Sequence, residues 1–152
     1  MRRLSPVLVA VVVALLVSGC GDDTKEANDY VAAVNQAQND FAATFDRLSS
    51  QITSTSTPQQ DQKTLDGFKT AVDKVVVDLR SVEVPSEVKD LHGRLIREIS
   101  AYGTEIDKAK AAFADGDAQT IVRAQGQLAS AVTRVSSQIN RTIDAINKQL
   151  RE

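Results

Sequence analysis

Apolar residues recur along this chain at alternating steps of three and four, the spacing that lines one stripe of an α-helix. In the first such segment, about residues 24–52, the stripe runs through Val31, Val34, Phe41, Phe45, Leu48 and Ile52, with Gln38 completing a heptad series. Thr53-Ser54-Thr55-Ser56-Thr57-Pro58 breaks the period and reads as a loop. A second segment, about 59–83, carries Leu65, Phe68, Val72, Val75, Leu79 and Val82. Val84-Pro85 ends it, because a residue before proline avoids the helical region.

A third helix, about 86–115, is expected to open on Ser86 as N-cap, with Glu87 and Asp90 in its first turn. Its stripe is Val88, Leu91, Leu95, Ile99, Tyr102, Ile106, Ala109 and Phe113. Asp115-Gly116-Asp117 reads as a turn, Gly116 closing one helix and Asp117 capping the next. The fourth helix, about 117–150, has its stripe through Ile121, Gln125, Leu128, Val132, Val135, Ile139, Ile143, Ile146 and Leu150. No stretch alternates with period two for long, so strands are not expected.

Four amphipathic helices joined by short connections predict an all-α, antiparallel, up-down-up-down four-helix bundle over residues 24–152. Helices three and four each depart once from the heptad, at Leu91-Leu95-Ile99 and at Val135-Ile139-Ile143. Folding the pair about Gly116 sets these departures opposite each other, which unwinds both helices together. From Asp22 to Ile52, Asp22, Asp23, Glu26, Asp29, Asp40 and Asp46 oppose only Lys25 and Arg47. From Asp117 on, Arg123, Arg134, Arg141, Lys148 and Arg151 outnumber Asp117, Asp144 and Glu152. This sign difference is expected to bring helices one and four together as neighbours. The seven-residue repeat Arg134, Arg141, Lys148 would face the acidic first helix rather than an acidic partner.

Ahead of the bundle lies a different pattern. Met1-Arg2-Arg3 precedes an apolar run of about eleven residues, Val7 to Val17, well short of the roughly 17–25 that span a bilayer. Val17-Ser18-Gly19-Cys20 follows, containing the only cysteine of the 152 residues. A basic start, an apolar middle and small residues before the cut make a secretory signal over residues 1–19. Val17 to Cys20 resembles a bacterial lipobox. The resemblance implies a diacylglyceryl group on the Cys20 sulfur, cleavage just before it, a tether over residues 20–23, and a membrane-anchored protein on the extracytoplasmic face. Two acyl chains hold stably where one holds marginally. With Cys20 modified, the mature chain has no thiol for a disulfide or a metal.

Loss of residues 1–19 removes Arg2 and Arg3 and no carboxylate, leaving 16 basic against 20 acidic residues. That acidic balance, without a concentrated basic patch, argues against nucleic acid. Aromatic residues are 4% of the chain, too few for a stacking platform. The single histidine, His92, has Lys89 three positions before it, where a di-iron bundle would carry glutamate, so neither that site nor zinc is expected. It reads as a flank residue beside Leu91. Asp90 and Arg94, Arg94 and Glu98, Lys69 and Asp73, Lys74 and Asp78, and Asp144 and Lys148 are spaced i,i+4, a solvated face rather than acid–base pairs. No serine has a readable base partner, and no enzyme activity and no cofactor are expected.

Four residues hint at a pocket. Gln38 and Gln125 interrupt their stripes, and Gly103 and Gly126 lie within helices at a cost of about 1 kcal/mol each relative to alanine. Pro85-Ser86-Glu87 opening a helix with Leu91-His92, and Phe113-Ala114-Asp115-Gly116-Asp117 at a turn, complete a resemblance to small helical lipoproteins of uncharacterised function from high-GC Gram-positive bacteria. That resemblance implies a tethered bundle and no known reaction. Two functions follow as expectations: a non-catalytic module that contacts an envelope protein, or a binding module with a small ligand held between its helices.

Overall fold

The computed structural model describes residues 22–51, 57–115 and 117–151. The signal region, Cys20, Ile52 to Ser56 and Gly116 lie outside the described residues. The fold is an all-α four-helix bundle, with no strand among the described residues. Helix α1 covers Asp22–Ser49, α2 Pro58–Arg80, α3 Lys89–Asp115 and α4 Ala118–Gln149, and a short 3₁₀ turn, Ser86–Val88, leads into α3.

Local chemistry sets the helix starts. Thr57 opens α2 with a reciprocal pair: its Oγ1 accepts from the Gln60 N–H at 3.3 Å, and its own N–H donates to Gln60 Oε1 at 2.7 Å. Pro58 follows at the first helical position, where its missing N–H costs nothing. The Thr-Pro pair thus belongs to a helix start, where the broken period alone predicts loop. Asp117 opens α4 as expected, accepting from the Thr120 N–H at 2.7 Å, and those bonds hold its carboxyl below the usual range. Ser86 does not cap α3. Its hydroxyl donates to Glu87 Oε2 at 2.9 Å, and Pro85 stands in the cap position without a side-chain bond.

The core has two storeys. The proximal one, at the end where α1 starts, joins Tyr30, Val31, Val34 and Ala37 of α1 to Val75 and Leu79 of α2. Val88, Leu95 of α3, and Ile143 and Ile146 of α4 complete it. The distal one holds Leu48, Leu65, Phe68, Val72, Ile106, Ala109 and Phe113, so its buried residues come from α1, α2 and α3. There α4 supplies only the half-buried Ile121 and Leu128. Phe45 packs on Phe68 with ring centroids 5.0 Å apart.

Close helix pairs are α1 with α2, α2 with α3 and α3 with α4. No Cα of α1 comes within 8 Å of a Cα of α4, so these two helices share the proximal core through side chains rather than by close backbone approach. Of the flank cations, Arg134 reaches Glu105 of α3 at 3.7 Å, and Arg141 is exposed. Such exposed pairs contribute only about 0–1 kcal/mol, too little to pull two helices together without apolar surface between them. Polar ties between helices run instead from Lys110 to Asp66 at 2.6 Å and from Thr142 to Glu98 at 2.8 Å. Glu98 also accepts from Arg94 Nε at 3.0 Å. Of the i,i+4 pairs, Lys69–Asp73 and Lys74–Asp78 form on exposed surface, while Glu98 is drawn inward toward Thr142, which is 2% exposed.

Candidate functional site

The four residues expected to mark a pocket do not converge. Gln38 is half-buried on α1, and Gln125 is exposed on α4. The buried face of α4 at that level runs through Ala124, Leu128, Ala131 and Val135, a heptad series beside the one that contains Gln125. Alanine fits either a core or a surface, so the stripe through Gln125 competed with the true one. Gly103 is buried against α2, where an added Cβ would meet Val72 Cγ1 at 3.4 Å and Lys69 Cδ at 3.5 Å, ordinary contact distances. It leaves no void for a ligand. Gly126 is exposed, and a Cβ there would meet nothing within 4 Å. Gly126→Ala should therefore raise stability by about 0.5–1 kcal/mol through helix propensity alone, read as a rise in the urea midpoint.

The most organised polar group lies in the proximal core. His92 is buried at 6% exposure rather than sitting on a flank, and Tyr30 beside it is 1% exposed. His92 Nε2 lies 3.0 Å from the Leu79 carbonyl oxygen. A carbonyl only accepts, so Nε2 carries the hydrogen and Nδ1 is left with its lone pair. Tyr30 Oη, 3.0 Å from Nδ1, then donates to it. One chain of hydrogen bonds thus joins α1, α3 and the last turn of α2. The rings meet edge-on, 5.6 Å apart between centroids.

Charge follows from burial. Desolvation lowers the His92 pKa, and the Leu79 carbonyl only partly offsets this, so the ring is neutral. Burial also pushes the Tyr30 hydroxyl up to about 12, keeping it a donor. The nearby charged side chains, Lys25, Glu26, Asp29 and Glu83, line a groove of about 400 Å³ on the outer side of Tyr30. The pair itself has almost no solvent contact for a substrate, so its chemistry is that of a structural clasp. Tyr30 is invisible in the stripe through Val31, yet Tyr30-Val34-Ala37-Phe41 shows an equally regular 4, 3, 4 spacing that could have found it.

Among the described residues no three histidine, cysteine or carboxylate side chains gather in a metal-binding cluster. No helix among them is long and apolar enough to cross a membrane. Cys20 lies outside the described residues, and α1 begins two positions after it, at Asp22. No protein-family model matches the chain, nor does any curated protein or solved structure.

Proposed function

We propose that the chain is a lipoprotein anchored through Cys20 to the extracytoplasmic face of a cell membrane, where the bundle acts without catalysis by contacting an envelope protein. The observation that carries this reading is the Val17-Ser18-Gly19-Cys20 run behind a short apolar segment, with a helix starting two positions later. Gly21 alone separates the tethered residue from α1, and an extended residue reaches only about 3.5 Å. The Tyr30–His92 end would then face the lipid headgroups. The distal end would stand about 40 Å out, the length of a 28-residue helix at about 1.5 Å per residue.

A contact role draws support from Phe41 and Phe45 of α1 and Leu128 and Val132 of α4, large apolar side chains that are only half-buried. Replacing Cys20 by alanine tests the anchor. The natural protein should partition into the detergent phase with a lipid-modified amino terminus at Cys20. Cys20→Ala should appear as unprocessed precursor or in the aqueous phase. Unchanged detergent partitioning of the variant, or an unmodified amino terminus at Met1 in the natural protein, would defeat the proposal.

A further inference from the structure

A second groove, of about 800 Å³, runs along the outer side of α1 and α2 in the distal half. Three cations line it, Arg47, Lys63 and Lys74, and no carboxylate does, although α2 carries Asp61, Asp66, Asp73 and Asp78. Asp66 is turned to Lys110 of α3 and Asp73 is held by Lys69, both away from the groove. Lys74 is paired with Asp78. Arg47 and Lys63 are exposed and have no carboxylate partner among the described residues. The sign is opposite to that of the chain as a whole, whose net charge is −2.

Spacing and hydrogen-bonding capacity narrow the occupant. The two helices approach at Gly67, where an added Cβ would meet Leu48 Cδ2 at 2.8 Å, so Arg47 lies level with that point. Along α2, Lys63 is about 6 Å to one side of it and Lys74 about 10 Å to the other. Alternate side chains of an extended peptide are about 7 Å apart on one face, close to the Lys63–Arg47 interval and shorter than the step to Lys74. The Thr64 and Thr70 hydroxyls spend their hydrogens on the Gln60 and Asp66 carbonyls, at 3.0 and 2.9 Å. Thr64 is buried, but the exposed Thr70 presents acceptor lone pairs to the groove, which suit the N–H groups of a peptide and not a bare phosphate chain. We infer that the α1–α2 groove docks an extended acidic segment of a partner protein, with carboxylates at alternate positions facing the unpaired Arg47 and Lys63.

This deepens the contact role proposed above and rests on it, but its test is independent of the anchor. The full-length chain in non-ionic detergent is titrated against a fluorescein-labelled peptide of five Glu-Ser repeats, with five Gln-Ser repeats as control, by fluorescence anisotropy. The acidic peptide should bind saturably and the neutral one should not. Arg47→Ala with Lys63→Ala should weaken binding roughly tenfold, the combined worth of two exposed charge contacts. Arg141→Ala on α4 with Arg151→Ala just beyond its end, the same charge change, should leave affinity within about twofold. All four side chains are exposed, so folding is not at risk. Three results would each overturn the inference: no saturable binding, equal loss in both double variants, or displacement by tripolyphosphate at lower concentration than by unlabelled acidic peptide. The Cys20→Ala chain should bind the peptide unchanged, so a failed anchor and a failed groove give different results.

Discussion

His92→Ala should destabilise the bundle by about 2–4 kcal/mol in urea unfolding, the sum of a cavity and an orphaned buried hydroxyl. Tyr30 would keep its hydroxyl in a site 1% exposed with no acceptor to replace Nδ1. The Leu79 carbonyl suffers less, because the Val82 N–H also donates to it, at 3.2 Å. Tyr30→Phe should cost about 1–3 kcal/mol by stranding Nδ1 in turn. Combining Tyr30→Phe with His92→Ala removes both polar partners, and the double variant should be more stable than the two single costs add up to. Strict additivity would show that the 3.0 Å contact carries no coupling.

The same pair gives the protein an acid sensitivity of known sign. Folded His92 has a pKa below its ordinary 6.5, so near that pH the unfolded chain binds more protons than the folded one. Its contribution is therefore fully present above about pH 6.5 and is lost as pH falls from there through the folded value. A protonated ring would place an Nδ1–H against the Tyr30 hydroxyl, which must then reverse and leave its own hydrogen unpaired. His92 is the only histidine in the chain, so a variant lacking it should lose the stability slope between about pH 5 and 7. A slope that survives in His92→Ala would assign it to carboxylates instead.

Ile106→Ala should cost about 2–5 kcal/mol, the range for emptying a fully buried aliphatic site. Ile106 is 0% exposed and sits among Leu65, Phe68 and Phe113 of the distal core. Val122, 67% exposed on α4, provides the contrast: Val122→Ala should stay within about 0.5 kcal/mol of the natural protein. Both values come from midpoint shifts at unchanged denaturant slope. Equal effects of the two substitutions would mean that the distal residues do not form a packed core.

The helices were legible in the sequence because their stripes are long and regular. Leu65-Phe68-Val72-Val75-Leu79 of α2 is buried along its whole length. The starts were less legible. The reciprocal cap at Thr57 and Gln60 is written in the sequence as Thr-Pro-Gln-Gln, but a proline after five Ser/Thr residues looks like loop to a period-based reading. How closely α1 and α4 approach is not legible from net charge, because apolar surface decides it. Of the pocket residues, Gln125 and Gly126 face solvent. Their stripe position was ambiguous by one residue, and alanine at 124 and 131 gave no contrast to resolve it. His92 could not be placed from its own surroundings. Its partner is 62 positions away, and a contact of that range needs the fold first.

Every close helix pair joins sequence neighbours, and α1 never approaches α4 closely. Most native contacts therefore form without closing a long loop, so the entropy of bringing the chain ends together is largely avoided. Such low contact order belongs to fast folders, and assembly can proceed one helical hairpin at a time. The tyrosine–histidine clasp, which spans 62 positions, must wait for three helices to be in place, and the proximal core, which joins α1 to Ile143 and Ile146 of α4, for all four.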